Sequence, residues 1–355
     1  MPIPNTAALG TSVANDIVNA ALIWYVRGKG LSQTTQDKPL LAWLRANKKQ
    51  FASGNLQISE PITGSYMSDT PGFIQGFSED DSINFNQSSN ILRAVYNWKE
   101  TICSLIITWT ELLKDGVSIV DDTKGGRVKE HAERAMTVLT PMLESRMDDF
   151  GESMSRGYNL MYWQDGSQDA KQVPGILSIL TDIPATGTTG GLNRATYPWW
   201  RHRVKLDLAP SAQNSTMIQF FNSELVQLKR FGGKPNKALC GSQFLDALRL
   251  ELFAKGYFTM NGFKGETATD LGMGGVHISG MGQFEYDPTL DSLGLSKRCY
   301  IMCSDRIKLW TMAEEDQKVL KPERPYQYLV YLHSVKCTGA MVCTQLNGNG
   351  VYAIQ

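Results

Sequence analysis

Two rhythms of apolar positions run along this chain, one recurring every three to four residues and one every two. Val13, Ile17, Ala21 and Trp24 share one face of an amphipathic helix expected from Ser12 to about Arg27, with Ser12 at its cap. A shorter helix is expected over Lys38 to Lys49. Asp37 stands where a cap belongs, Pro39 lies in the first turn, and Leu40, Leu41 and Leu44 form the apolar side. The strongest helical signal covers about Arg127 to Leu160, where Val128, Ala132, Ala135, Leu139, Met142, Met147, Phe150 and Met154 recur. At a rise of about 1.5 Å per residue this is a rod of roughly 50 Å, kinked at Pro141 and loosened by Gly151 and Gly157. Its single apolar stripe points to core packing. Two further helices open on serines: Ser215 to about Arg230, carrying Met217, Phe220, Phe221, Leu225 and Leu228, and Ser242 to about Lys255, carrying Leu245, Leu248 and Leu252.

The two-residue rhythm begins at Arg93 to Leu113 and dominates the C-terminal third. Strands are expected at Gly275 to Tyr286, Arg298 to Cys303, Ile307 to Met312, Tyr328 to Lys336, Ala340 to Leu346 and Val351 to Ile354. Turns fall at Asp115-Gly116, Gln164 to Gly166, Thr186 to Gly191, Asp287-Pro288, Asp305-Arg306 and Asn347 to Gly350. Helices and strands are both abundant, without a βαβ rhythm, so the class is α+β.

Charge is distributed in blocks. From Arg27 to Lys49 there are six basic residues (Arg27, Lys29, Lys38, Arg45, Lys48, Lys49) against Asp37, a net of +5. From Gln50 to Leu92 there is no Lys or Arg, and Glu60, Asp69, Glu79, Asp80 and Asp81 give −5. That stretch is rich in Gly, Ser, Asn and Gln, with short alternating pieces such as Leu56 to Ile58 and Ile83 to Phe85. A structureless insert this long is uncommon in a compact domain. A two-stranded arm that lies on its own body or on a neighbour fits better, because an isolated hairpin is marginal in water.

The whole chain of 355 residues carries 35 basic and 35 acidic side chains, which argues against a protein that lives by electrostatic binding to nucleic acid or membrane. Charged residues make up 20%, below the usual about 25%, which leaves room for contact surface. The six cysteines (Cys103, Cys240, Cys299, Cys303, Cys337, Cys343) are too sparse for a disulfide framework and read as buried free thiols. The first residues lack the basic segment of a signal peptide, and no apolar run reaches the about 20 residues of a membrane span, so a soluble protein of a reducing compartment is expected.

Catalytic signatures are missing. There are four histidines, no His-Glu-x-x-His, no Gly-x-Ser-x-Gly and no Ser-x-x-Lys. Gly272 to Gly275 opens a strand rather than a helix and is not followed by Lys-Ser/Thr, so it reads as a turn. Cys299, Cys303, Cys337 and Cys343 lack the spacing of a zinc site. No catalytic residue, cofactor or metal is assigned, and a hydrolase with an unrecognised site is a remote alternative. Two basic patches remain. One is Lys229, Arg230, Lys234 and Lys237. The other, Arg194, Arg201, Arg203 and Lys205, is interleaved with Tyr197, Trp199 and Trp200. That second patch could stack bases or grip phosphates. Arg packed on Trp inside a subunit contact is the favoured reading.

Several segments together resemble the major capsid proteins of tailed phages: Leu160 to Ser167 (LMYWQDGS), Pro174 to Leu180 (PGILSIL) and Gly187 to Arg201 (GTTGGLNRATYPWWR). Toward the end, Glu285 to Pro288, Arg324 to Tyr328, Gly339 to Cys343 and Asn349 to Val351 agree. The likeness spans roughly Arg93 to the C-terminus. It implies the Hong Kong 97-type capsid fold, with an N-terminal arm (1–50), an E-loop (51–98), a peripheral domain (99–174, spine helix about 127–160, closing strands about 323–345) and an axial domain (175–322, with 346–355 a candidate addition). It also implies self-assembly into hexamers and pentamers of an icosahedral shell around a double-stranded DNA genome. The location implied is the virion, and the host cytoplasm during assembly. Portal, scaffold and decoration proteins are implied partners, packaged DNA is contacted non-specifically, and no membrane is involved. An encapsulin-like compartment shell is the alternative. The lysine cross-link of some members has no donor here, since Lys is absent between Lys49 and Lys99. A start at Met1 implies a separate scaffold or none. The residues expected at subunit contacts are Glu60, Asp69, Glu79, Asp80 and Asp81 on the acidic side. Arg27, Lys29, Arg45, Lys48 and Lys49 are their basic counterparts, and Arg194, Trp199, Trp200 and Arg201 form the aromatic patch.

Overall fold

The computed structural model describes residues 35–54, 56–64, 66, 73–82, 91–108, 148–211, 213–255, 276–278, 281–323 and 330–355. The helix expected at 12–27, the long helix before residue 148, and Arg27, Lys29 and Asp69 lie outside them. In chain order the elements begin with α1 (Pro39–Ala46), β1 (Lys49–Phe51), β2 (Ile58–Thr63), β3 (Ile91–Tyr96) and β4 (Lys99–Thr108). Residues 148–163 are helical and form α2. After it come α3 (Ile176–Ile179), β5 (Thr188–Thr189), β6 (Leu192–Asn193), β7 (Arg203–Leu208), α4 (Thr216–Lys229), β8 (Lys237–Cys240) and α5 (Ser242–Lys255). The chain closes with β9 (Val276–Ile278), β10 (Gly282–Tyr286), α6 (Pro288–Ser292), β11 (Arg298–Met302), β12 (Ile307–Met312), β13 (Lys318–Glu323), β14 (Val330–Cys343) and β15 (Gly350–Ile354).

Two sheets organise these elements. The first is built on β14. Along one edge β4 pairs antiparallel, from Lys99↔Gly339 to Thr108↔Val330. Along the other edge lie β12 and then β13, with Thr311 opposite Gly339 and Lys318 opposite Lys336. β1 adds in parallel outside β12. Sequence alternation predicts two strands, 328–336 and 340–346; they are one, because pairing on both edges carries the backbone straight through Gly339. The second sheet has the order β7-β15-β11-β8-β10-β9. It recruits three strands the alternation did not announce, β7, β8 and the split of 275–286 into β9 and β10.

The second sheet has a core on each face, and the two-residue pleat sorts side chains between them. In β11, Tyr300 and Met302 enter one core while Cys299 and Ile301 enter the other. The first core also takes Trp163 and Tyr162 of α2, Ile176 of α3 and Leu40, Leu41 and Leu44 of α1. In the second, Phe221 of α4 makes edge contacts with Phe244, Phe284 and Tyr352. Five cysteines are buried as free thiols and Cys103 is half-buried. Cys240 and Cys299 stand opposite each other in the β8–β11 ladder, their sulfurs 3.2 Å apart.

Helix starts depart from the expected caps. Asp37 does not cap α1. Lys38 occupies the cap position without a side-chain cap bond, and Asn159 of α2 accepts from Leu41 N at 3.0 Å instead. Ser215 has left-handed φ (52°) and its hydroxyl makes no cap bond. The buried Glu251 carboxylate of α5 serves α4, accepting from Met217 N at 3.0 Å, Ile218 N at 3.4 Å, Ser211 N at 2.7 Å and Thr216 Oγ1 at 3.1 Å. Ser242 likewise donates its backbone N–H to Asp291 Oδ1. By contrast α6 has the local pattern, with Asp287 Oδ1 accepting from Thr289 N at 2.9 Å while Oδ2 accepts from Trp163 Nε1 at 2.7 Å. Burial pushes the Asp287 carboxyl upward against these bonds.

Candidate assembly surface

Strands at the two ends of the acidic stretch pair as a hairpin. β2 and β3 pair antiparallel from Ile58↔Tyr96 to Thr63↔Ile91, with Ile58, Ile62 and Ala94 turned to the body. Its seat is the Gly187–Arg201 segment. Val95 N donates to Gly190 O at 2.9 Å. Gly190 takes φ +59° and packs so closely that a Cβ would lie 2.9 Å from Ala94 and from the Tyr96 ring. Tyr96 Oη donates to Cys343 O at 2.7 Å. Beyond β2, Gly64 lies flat on Trp199, where a Cβ would come within 2.1 Å of ring carbons.

Trp199 is held in turn. It meets Tyr197 at 5.5 Å and Trp200 at 5.9 Å between ring centroids. Trp200 is fully buried, its indole N–H donating to Thr189 O at 3.1 Å. Arg194 is buried too. Its guanidinium donates to Thr181 Oγ1 at 2.8 Å, and desolvation lowers its pKa from the ordinary arginine value. Arg201 Nε donates to Arg194 O at 2.7 Å. His202 Nε2–H donates to Thr181 O at 2.6 Å, and burial pushes its pKa down to about 4, so the ring is neutral. Arg194, Trp199, Trp200 and Arg201 therefore do come together, but as a corner of their own chain that seats the hairpin. The sequence shows the aromatic-arginine association and cannot say which surface it grips.

The acidic residues divide into two groups. Glu60, at the hairpin base, is 3.7 Å from Lys49 of the same chain, whose ammonium also sits 3.9 Å over the Trp310 ring. Glu79, Asp80 and Asp81 are exposed at a turn in which Asp81 N donates to Ser78 O at 2.9 Å and Ser78 N to Asp81 Oδ2 at 3.0 Å. Next to them Phe73, Ile74 and Phe77 are exposed; Ile74 keeps 89% of its surface in solvent. Their basic counterparts are largely engaged inside the chain, Lys38 with Glu152 and Lys48 with Asp316. Of the described cations in that segment, Arg45 alone has no acidic partner.

The remaining basic residues fall into two environments. Arg203 makes a bidentate pair with the buried Glu224 at 2.6 and 3.0 Å, Tyr352 donating to the same carboxylate, and Lys237 pairs with Glu285. Lys229, the last residue of α4, and Arg230 and Lys234 in the turn after it are exposed. An open groove of about 700 Å³ lies between α1 and α5, and most of its charges are paired, Lys38 with Glu152, Arg249 with Asp246 and Glu285 with Lys237. Among the described residues no group of His, Cys, Asp or Glu is placed to hold a metal ion, and no helix is long and apolar enough to cross a membrane.

No protein-family model matches the sequence, and no curated protein matches it. Solved structures do match its fold over nearly its whole length. A chain of the cyanophage A-1(L) capsid asymmetric unit superposes with a TM-score of 0.60, covering 91% of this chain and 94% of its own, at 13% identity. The capsid of cyanophage P-SCSP1u gives 0.52 at 9% identity, covering 92% and 91%. The capsid of a native GTA particle gives 0.52 at 12% identity, covering 88% and 90%. At these identities the likeness is one of fold.

Proposed function

We propose that this chain is a shell subunit, the major capsid protein of a tailed phage, which assembles into an icosahedral head around double-stranded DNA. One observation carries the reading: the fold matches a phage capsid chain over 91% of this chain and 94% of the other. The same match supports a structural role rather than catalysis. The virion is the working location, with assembly in the host cytoplasm. Copies of the chain are the main partners, and portal, scaffold or decoration proteins and the packaged DNA are secondary ones.

In this reading the parts correspond to those of the Hong Kong 97-type fold. Residues 1–50 are the arm and 51–98 the E-loop. The sheet built on β14, together with α2, is the peripheral domain, and the second sheet with α4 and α5 is the axial domain. In this reading the pairing of β12 and β13 with β14 supports grouping them with the peripheral part, and β15, between β7 and β11, supports grouping 346–355 with the axial part. The E-loop tip, with Glu79, Asp80 and Asp81, is offered to an adjacent subunit. The basic segment Arg27–Lys49 faces a neighbour as well, contributing Arg27, Lys29 and Arg45 beyond the pairs it makes internally. Exposed ion pairs are worth about 0–1 kcal/mol each and are screened by salt, so charge sets register and rate while apolar burial holds the shell.

Electron microscopy and sedimentation of the purified full-length chain test this. Closed particles of uniform diameter are expected; a monomer at every protein concentration, crowder and salt tried would refute it. Particles filled with a cargo enzyme in place of DNA would mark a compartment shell instead.

A further inference from the structure

The turn between α4 and β8 has the charge that the hairpin tip lacks. Lys229, Arg230 and Lys234 fall within six residues, and no carboxylate occurs from Val226 to Lys237. Among the described residues none of the three has a carboxylate partner, whereas Lys48, Lys49, Arg203, Lys237, Arg298 and Lys336 each have one. The turn also presents apolar surface. Phe231 is 62% exposed and Val226 66%, and the Arg230 guanidinium lies 5.3 Å from the Phe231 ring centre. Its shape is fixed, Gly232 N donating to Lys229 O and Gln345 Nε2 to Phe231 O, both at 2.9 Å.

The hairpin tip is the inverse of this surface. Exposed Phe73, Ile74 and Phe77 precede the exposed Glu79, Asp80 and Asp81, with no cation from Gln50 to Leu92. Both surfaces are solvent-facing in the single chain, so neither is satisfied by its own molecule. We propose that the tip of one copy seats on the Lys229–Lys234 turn of the next. Phe231 and Val226 cover the tip's apolar residues, and the three cations face its three carboxylates. The contact joins two different patches, so it is heterologous and repeats around a ring. A polyanion such as DNA would use the cations but leave Val226 and Phe231 uncovered, and the chain itself carries the matching acid. This inference rests on the shell reading and names the partner surface within it.

Two experiments on the full-length chain test the contact. In assembled wild-type particles, made from mixed isotope-labelled and unlabelled subunits, carbodiimide should join carboxylates 79–81 to Lys229 or Lys234 between different copies. Separately, E79K/D80K/D81K and K229E/R230E/K234E should each slow assembly, followed by light scattering near 0.1 M salt, by about tenfold, while the combined sextuple variant returns to within about threefold of wild type. Absence of the cross-link, or a combined variant no faster than the slower triple variant, overturns the contact while wild-type particles still form. A basic reversal that leaves assembly unchanged but abolishes DNA retention in a gel overturns it in favour of a polyanion. Wild-type protein that forms no particles removes the shell reading and this contact together.

Discussion

Single residues decide whether the hairpin stays seated. Gly64 has no room for a side chain against Trp199, so Gly64→Ala must push the indole aside. Overpacking of this kind costs about 1–3 kcal/mol. Limited proteolysis should show faster cleavage within 64–90, and Trp199→Ala should suppress the difference, since the two changes meet in one space. His202 sets a pH dependence for the unassembled subunit. Its folded pKa, about 4, lies below the unfolded value near 6.5, so the unfolded chain binds the extra proton between those values. Its contribution is fully present above about pH 6.5 and is lost as the pH falls toward 4. Comparing urea midpoints at pH 7.5 and 4.5 should show His202→Gln losing about 2–3 kcal/mol less than wild type across that interval. A protein whose His202 variant shows the same acid slope would contradict the buried neutral ring. Neither constraint is legible in the sequence, where Gly64 sits in a polar run and His202 between two arginines.

At the scale of elements, helices are held at their starts by side chains from elsewhere. Glu251 reaches the start of α4 from the neighbouring helix and accepts from four donor groups in and just before it, so Glu251→Ala should cost about 2 kcal/mol, read as a lower denaturation midpoint by circular dichroism. Glu251→Gln, which keeps one acceptor, should lose less. The positions of α1, α4 and α5 were legible because an amphipathic stripe is written in consecutive residues. Their caps were not, because a local Ser or Asp is a frequent solution and a distant carboxylate leaves no mark beside the helix it serves. Strands divide in the same way. β12 alternates, and β11 and β15 are short apolar runs bounded by turn residues, each losing at most its last residue or gaining a first. β8 is four residues long and β7 mostly exposed, so each exists only because a neighbour pairs with it. The aromatic-arginine patch is legible as a contact-forming cluster, while the fit of Trp199 to Gly64, which shows that it also seats the chain's own hairpin, leaves no mark in the sequence.

For the whole molecule, the balance of apolar and charged contact predicts how assembly responds to salt. Raising ionic strength from about 0.1 to 1 M shortens the screening length from about 10 to 3 Å. Formation of particles should slow several-fold in light scattering, while particles already made persist in sedimentation; rapid dissolution on adding salt would show that charge, not apolar burial, holds copies together. One feature of the body governs where those copies can touch. Strands β8, β11 and β15 are roofed on both sides by the chain's own helices and buried rings, which leaves them no broad flank to lend. That sheet has only edges and turns to offer a neighbour. If copies join through such edges, the layer grows sideways and the wall they make is a single molecule deep however many join it.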